Sequence, residues 1–218
     1  MTNEDDRKLA QSDSDELLRR AYAVETQQDA LDLYRDWADT YDEHLEDGLN
    51  YLAPEIMGRV FEEFVPDKSA TILDIGCGTG LMGLALSAHG YANFDGLDLS
   101  PEMLQQARGK GVYGNLIKAD LTATLEIGSA SYDAAVSTGT FTHAHVGAEA
   151  LDEIFRILRP GAVCALAINS DVWIENGFPL KIRELTGKGT MHVREIRPDR
   201  YFKGGDGVGR FCVFKKTA

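Results

Sequence analysis

The chain has 218 residues, which suits one domain with a full hydrophobic core and leaves little room for a second. Hydrophobic residues make up 44% and charged residues 26%, the balance of a soluble globular protein, and no apolar run approaches the roughly 20 residues of a membrane-spanning helix. The net charge of −13 disfavours binding to nucleic acid and to anionic membrane surfaces, because both draw on clustered lysine and arginine.

The N-terminal part of the chain is predicted to be helical after a short charged tail. Residues 1–13 are acidic and short of large apolar groups, which is typical of disorder. They also lack the basic-then-apolar pattern of a signal peptide, so we expect a cytoplasmic location. Residues 14–66 are predicted as a helical lid, because apolar side chains recur there with helical spacing and "DALDLYRDWADTYDEHL" carries an aromatic stripe with Trp37 and Tyr41.

Residues 67–218 are predicted to form the core of the domain, with strands alternating with helices. Strands are predicted at 70–75, 93–99, 114–121, 132–138 and 162–168, with helices at 80–90, after Ser100-Pro101 and at 148–158. This alternation predicts a parallel sheet with helices on both faces. Segments 189–196 and 209–216 flank a glycine-rich loop and should pair as an antiparallel hairpin at one edge. The predicted fold class is α/β, a single Rossmann-like doubly wound sheet of about seven strands covered by N-terminal helices.

The stretch "TILDIGCGTG" at residues 71–80 places Asp74 in an apolar strand just before Gly76, Gly78 and Gly80. Ligands of open α/β sheets bind beyond the carboxyl ends of the strands, and glycine lets backbone N–H groups approach a ligand closely. The run "GTGLMG" at 78–83 matches the dinucleotide fingerprint, so a nicotinamide-dependent oxidoreductase is one interpretation. Asp74 argues against it, because a carboxylate repels a pyrophosphate and favours a ligand with positive charge.

The landmarks that follow resemble those of class I S-adenosylmethionine-dependent methyltransferases. "ILDIGCGTG" resembles motif I of that family, and the later motifs occur in the family's order: Asp98 at the end of the second strand, "LSPEML" at 99–104, "ADL" at 119–121, "YDAAVSTGTF" at 132–141 and "LRPGA" at 158–162. The resemblance covers roughly residues 30–216. Within the family, "YRDWADTYDEHL" and "YLAPEIMGRVF" resemble a subgroup that includes the methyltransferase-like protein of the Williams–Beuren region and its bacterial relatives.

The resemblance implies S-adenosyl-L-methionine as the cofactor, whose ammonium and sulfonium suit an acidic site. It implies that Asp98 binds the ribose and that Leu99 and Met103 flank the adenine. It also implies that Trp37 and Tyr41 lie near the methionine end. The cofactor-binding residues predicted in this way are Trp37, Tyr41, Asp74, Gly76, Cys77, Gly78, Gly80, Asp98, Leu99, Met103, Asp120, Leu121 and Thr138. Asp120 and Leu121 would contact the adenine, Thr138 lies in the motif that ends near the transferable methyl group, and Cys77 is expected to be a small packing residue.

His143, in "THAH" after the fourth strand, is the candidate general base, since a histidine titrates near neutral pH. A polar residue that only lines the pocket is the competing interpretation. No third ligand is spaced to form a metal site with His143 and His145, and the three cysteines are far apart and lack a C-x-x-C pair. We therefore expect neither a metal nor a disulfide.

The acceptor is expected to be a small molecule or a protein. The fourth strand is followed by "STGTF" rather than the "[DNS]-P-P-[YF]" motif of adenine- and glutamine-directed methyltransferases. The net negative charge of the chain also favours a small-molecule or protein acceptor over nucleic acid. A methyltransferase needs no catalytic motif beyond its cofactor site, because the sulfonium already activates the methyl group. A non-catalytic protein that binds S-adenosylmethionine is a further alternative.

Overall fold

In the computed structural model, seven strands form one mixed sheet in the order β3-β2-β1-β4-β5-β7-β6. The strands are β1 Ile72–Ile75, β2 Phe94–Asp98, β3 Leu116–Lys118, β4 Tyr132–Phe141, β5 Leu158–Asn169, β6 Met191–Arg200 and β7 Val208–Lys216. The structure describes residues 16–21, 23–24, 26–143, 146–203 and 208–217. The predicted tail at 1–13 and His145 lie outside the described residues.

Helix boundaries follow local capping signals. The Thr26 hydroxyl accepts the N–H of Asp29 at 3.1 Å, and the Ser100 hydroxyl accepts the N–H of Met103 at 3.2 Å ahead of Pro101. The helices are α1 Gln27–Trp37, α2 Tyr41–Glu43, α3 Ala53–Phe64, α4 Leu81–Ala88, α5 Pro101–Lys110, α6 Ala150–Ile157 and α7 Phe178–Gly187, and a π-helical turn, His44–Gly48, follows α2. No described helix is both long and apolar enough to cross a membrane.

Strand pairing confirms the predicted fold class. Strands β1 to β5 pair in parallel, whereas β7 runs antiparallel to β5 and β6 antiparallel to β7. Strand β1 lies between β2 and β4, so the winding direction of the sheet reverses beside it. Crevices at such switch points, outside the carboxyl ends of the strands, are where ligands of open α/β sheets bind.

Apolar side chains cover both faces of the sheet. The face under the N-terminal helices packs Trp37, Met57 and Phe61 against it, and the opposite face packs Phe155 and Phe178. All four residues of β1 are buried. A carboxylate in this strand is therefore removed from water, which is costly unless it is paired or neutral.

Three features differ from the sequence expectations. Strand β3 is shorter than the predicted 114–121, because the Asp120 carboxylate accepts the N–H of Thr122 at 2.8 Å and turns the chain away. Strand β5 starts before the expected turn "RPGA", which it absorbs with a register shift and a positive φ of +81° at Gly161. Helix α7 has no counterpart among the predicted elements.

Candidate functional site

The glycine turn after β1 is a sharp backbone reversal. Gly76, Gly78 and Gly80 have φ of +62°, +53° and +97°, a region that favours glycine. A Cβ on Gly76 would lie 2.0 Å from Oγ1 of Thr140 on β4, so β4 packs against the bare backbone there. A Cβ on Gly78 would meet nothing within 4 Å. The fold therefore requires glycine at Gly76 and leaves open space in front of Gly78.

Asp98 connects this turn to the start of α5. One carboxylate oxygen accepts the N–H of Gly78 at 2.8 Å, and the other accepts the N–H of Ser100 at 2.9 Å. Burial raises the pKa of the Asp98 carboxyl above its ordinary value, and the backbone donors oppose that rise. Each oxygen keeps a lone pair, so the carboxylate can also accept two hydroxyl groups.

A pocket opens at the carboxyl ends of β1, β2 and β4, next to the glycine turn. It is a concave space that is open to solvent at its mouth, as small-molecule sites usually are. The predicted residues that line it are Tyr41, Gly76, Cys77, Gly78, Asp98, Leu99, Met103, Asp120, Leu121 and Thr138. We call this the cofactor pocket.

Three residues of the predicted cofactor set lie outside the lining. Trp37 is 2% exposed and donates its indole N–H to Nδ1 of His44 at 2.9 Å. Gly80 caps α4, and Asp74 is fully buried behind the turn. The candidate base His143 is half-buried in the turn after β4 and is not a lining residue either. The predicted cofactor-binding residues therefore fall into two groups: ten that line the cofactor pocket, and three that lie outside its lining.

Asp74 is held by Tyr113, which sequence reasoning missed. The Tyr113 hydroxyl donates to one oxygen of Asp74 at 2.6 Å, and no described residue hydrogen-bonds the other oxygen. Burial raises the pKa of the Asp74 carboxyl to about 7, and the nearby Asp98 adds to the rise, whereas Tyr113 opposes it. Tyr113 also fills the space beside Gly83, where a Cβ would lie 2.4 Å from its hydroxyl.

Cys77 is a packing residue within the turn, as the sequence indicates. It is 6% exposed, and a Cβ on Gly96 of the neighbouring β2 would lie 2.8 Å from its sulfur. Burial raises the pKa of its thiol, so the group stays protonated. A thiol in that state is a poor nucleophile.

Charges in the cofactor pocket have one sign. Asp98 and Asp120 are the only charged side chains among its described lining residues. The Gly78 N–H, which a pyrophosphate would use, already donates to a carboxylate. The pocket is therefore built for a ligand that is neutral or positively charged rather than for a polyphosphate.

The N-terminal helices are fastened over this pocket by acidic side chains. Asp42, in α2, accepts the hydroxyl of Thr79 at 2.5 Å and forms an ion pair with Lys110 of α5. Asp39 accepts the side-chain amide of Gln106 at 2.8 Å. Tyr41, between these two acids, lines the pocket, and burial raises the pKa of its hydroxyl well above the ordinary value.

A second, smaller cavity adjoins the cofactor pocket and is mostly aromatic. Its lining consists of Leu18, Ala21, Tyr34, Trp37, Tyr41, Leu45, Tyr51, Gly139, Thr142, Tyr201 and Phe202, and we call it the aromatic cavity. Tyr34, Tyr41, Tyr51 and Gly139 line both spaces. Tyr34 and Tyr51 were not predicted, although Tyr34 continues the aromatic stripe of α1.

No group of three or more histidine, cysteine, aspartate or glutamate side chains suited to a metal occurs in the part of the chain that the structure describes. Asp133, at the start of β4, is bound structurally. It accepts the N–H of Thr71 at 3.0 Å and an Arg159 N–H at 2.6 Å, which lower its pKa.

Comparison with known proteins identifies what the chain is similar to. A family model described as a methyltransferase domain matches residues 73–166, from β1 into β5. Human methyltransferase-like protein 27 is 31% identical over 157 residues, which are 71% of this chain and 63% of that protein. The bovine 18S rRNA (guanine-N(7))-methyltransferase is 39% identical over 85 residues, 38% of this chain and 30% of that protein.

The fold is also shared with solved structures. A chain solved in complex with the Haloferax volcanii methyltransferase activator Trm112 superposes with a TM-score of 0.60 at 23% identity, covering 85% of this chain and 98% of that chain. The present chain spans less than two thirds of the length of the curated relatives described above.

Proposed function

We propose that this chain belongs to the class I S-adenosylmethionine-dependent methyltransferase family. It would transfer a methyl group from S-adenosyl-L-methionine to an acceptor by in-line displacement. The family match and the similarity to methyltransferase-like protein 27, in the subgroup expected from the motifs, support this activity. The main observation behind it is the cofactor pocket at the switch point of the sheet. Among the described residues that line this pocket, the two charged ones, Asp98 and Asp120, are both carboxylates. When bound, the sulfonium supplies an activated methyl group and departs as a neutral thioether.

The residues of the pocket fit this cofactor. We assign Asp98 to the ribose hydroxyls, because its oxygens keep lone pairs after accepting two backbone N–H groups. Leu99 and Met103 are assigned to the adenine as apolar surface, and Asp120, which lines the same pocket, is assigned to that end with them. The open space at Gly78 suits close backbone approach. Tyr41 and Thr138 are assigned to the methionine end, and Asp74 acts from behind the turn.

The chain's own task is alignment and exclusion of water. We propose that residues 14–66 act as a lid over the core at 67–218 and that Asp42 holds the lid closed. We retain His143 as the candidate base, because it directly follows Thr142, which lines the aromatic cavity. Since Asp74 and Trp37 lie outside the cofactor pocket, we propose that they act by supporting the turn and the lid.

A small molecule or a protein is the proposed acceptor. Two relatives are named as 18S rRNA methyltransferases, but their matches cover 38% and 30% of this chain. The net charge of −13 opposes binding to a phosphate backbone. A cytoplasmic location stays a prediction from the amino-acid sequence.

Calorimetry with the purified chain tests the proposal. S-adenosylmethionine and S-adenosylhomocysteine should bind, and NADH should not, because a pyrophosphate would face Asp98 at the Gly78 amide. NADH binding without binding of either nucleoside would instead support the oxidoreductase. A methyl-labelled cofactor, offered with small-molecule extracts and with cell protein, then separates the enzyme from a non-catalytic binder, which would yield no labelled product.

A further inference from the structure

We propose that the aromatic cavity is the acceptor site and that it takes a flat, uncharged aromatic molecule. This inference rests on the proposed methyl transfer and names the class of its acceptor. Three observations carry it: the position of the cavity, the arrangement of its rings and the absence of charge from its described lining.

The position of the cavity follows from the four residues that it shares with the cofactor pocket. Three of them, Tyr34, Tyr41 and Tyr51, are aromatic, and Gly139 directly follows Thr138 on β4. The ribose and adenine assignments place Asp98 and Asp120 at the other end of the pocket. In-line displacement requires the nucleophile on the side of the methyl group opposite the sulfur. The aromatic cavity adjoins that end, so an acceptor held there can be aligned with the methyl group.

The rings form two groups contributed by different parts of the chain. On the α1 side, Trp37 packs edge-on against Tyr41 with ring centroids 4.7 Å apart, and Tyr34 packs against both. The other group places Tyr51 5.4 Å from Phe202 and 6.4 Å from Tyr201.

The second group is fixed by backbone pairing. The N–H of Leu52 donates to the carbonyl of Tyr201 at 2.7 Å, and the N–H of Lys203 donates to that of Asn50 at 3.1 Å. Preformed ring surfaces of this kind favour a planar partner through stacked and edge-on contacts.

The charge of the occupant follows from the side chains of the cavity. Its described lining contains tyrosines, one threonine, one tryptophan and apolar groups, and no aspartate, glutamate, lysine or arginine. A carboxylate or phosphate would find no cation in the described lining to form an ion pair that offsets its desolvation. An ammonium group could use the ring faces but would have no carboxylate in the lining, so it is the competing occupant that must be tested.

The experiment compares three probes that share a naphthalene ring and differ in charge, in the presence of saturating S-adenosylhomocysteine: 2-naphthol, 2-naphthoate and 2-naphthylmethylammonium. Calorimetry should show 2-naphthol binding at least about tenfold more tightly than either ion, which corresponds to about 1.4 kcal/mol. Equal or tighter binding of an ion, or no binding of 2-naphthol, overturns the inference. If S-adenosylhomocysteine itself does not bind, the proposed function fails and the inference fails with it.

Variants locate the probe. Phe202→Leu keeps an apolar side chain but removes the ring, so 2-naphthol should bind about tenfold more weakly while S-adenosylhomocysteine binding changes less than twofold. Ala21→Phe, which adds a ring at another lining residue and so reduces the space in the cavity, should have the same effect and covers the case in which the first variant is unstable. Leu31 lines only the cofactor pocket, so Leu31→Ala should weaken S-adenosylhomocysteine and leave the preference for 2-naphthol intact. Unchanged 2-naphthol binding in both cavity variants overturns the assignment.

Discussion

Asp98 holds the turn after β1 and the first residues of α5 in one arrangement through two backbone N–H groups. The same carboxylate is assigned to the ribose, so Asp98→Asn should affect the ligand more than the fold. The amide replaces one acceptor oxygen with a donor, and hydrogen bonds to charged groups contribute about 1.5–3 kcal/mol. We expect S-adenosylhomocysteine to bind about 10- to 100-fold more weakly to Asp98→Asn, as measured by calorimetry.

A matched control for this change is Asp171→Asn, which removes the same charge from an exposed position outside the cofactor pocket. Its affinity for S-adenosylhomocysteine should stay within twofold of the parent. Equal affinities of the two variants would show that the Asp98 carboxylate does not contact the ligand.

Asp74 makes the stability of the chain depend on pH. Its pKa of about 7 lies above the ordinary value of 3.8, so the carboxyl stabilises the folded state while protonated, and this contribution is lost as the pH rises from about 4 through 7. Asp74→Asn keeps a neutral group at all pH values. Between pH 5 and pH 8, the free energy of unfolding of Asp74→Asn should therefore rise by about 3 kcal/mol relative to the parent, measured with urea in the absence of cofactor.

Tyr113→Phe provides the second arm of this experiment. Loss of its hydrogen bond moves the pKa of Asp74 further upward, because the remaining neighbours, Asp98 and the Cys77 thiol, offer no positive charge. The loss of stability should then continue to higher pH than in the parent. Parallel pH profiles of the parent and Asp74→Asn would contradict the assignment of this titration to Asp74.

Sequence reasoning found the residues of the site that lie in local motifs and missed those that reach it from elsewhere. Asp98 ends β2 and Asp120 follows β3, so the carboxyl-end rule predicts that both lie at the pocket, and both line it. Tyr113 bonds Asp74, which is 39 residues away in the sequence, and Thr140 bonds Ile75, which is 65 residues away. Both contacts form only when the sheet brings these segments together. The residues around Tyr113 and Thr140 in the sequence give no sign of these long-range contacts.

Besides the apolar packing of Trp37, Met57 and Phe61, the segment from α1 to α3 is held over the pocket by a few polar contacts. Asp42 provides two of these, to Thr79 in the glycine turn and to Lys110 in α5. Bound cofactor should therefore slow amide hydrogen exchange between residues 30 and 50 in the parent chain, because it adds contacts beneath the lid. In Asp42→Ala we expect faster exchange there without ligand and about tenfold weaker binding of S-adenosylhomocysteine.

Asp32→Ala is the control on the same helical segment. Asp32 pairs with Arg35 on the exposed side of α1, and such surface pairs contribute little. It should leave exchange and affinity unchanged. If ligand fails to slow exchange over residues 30–50 in the parent, the segment is not a lid.

Helices and strands were predicted well where the apolar spacing extends over many residues. They were missed or misplaced where the segment is short and its structure depends on contacts with the rest of the fold. Helix α7 presents Phe178, Ile182 and Leu185 as its buried residues, a spacing of four and three that is typical of a helix. Its ten residues are too few for that spacing to be decisive without knowledge of the sheet it covers. The Asx turn at Asp120 similarly ends β3 early, although the flanking residues read as strand.

At the scale of the whole molecule, topology and charge act together. The switch point beside β1 creates one crevice, and the acidity of the chain extends into it through Asp98 and Asp120. The alternating pattern predicted this crevice because parallel strands put all their carboxyl ends on one edge. The same pattern could not predict the aromatic cavity, because Tyr51 and Tyr201, which contact each other there, are 150 residues apart in the sequence.

Ligand binding at that crevice joins elements from the whole chain, so it should raise the stability of the entire domain. At a concentration 100 times its Kd, a ligand that binds only the folded state adds about 2.7 kcal/mol, and one kcal/mol raises the Tm of a domain of this size by about 2–4 °C. S-adenosylhomocysteine at that concentration should therefore raise the Tm by about 5–10 °C in a calorimetric scan. NADH at equal concentration should leave the Tm unchanged, because its pyrophosphate meets the carboxylates of the pocket rather than a cation. A comparable rise with NADH would mean that the acids do not select the ligand, and the methyltransferase proposal would lose its physical basis.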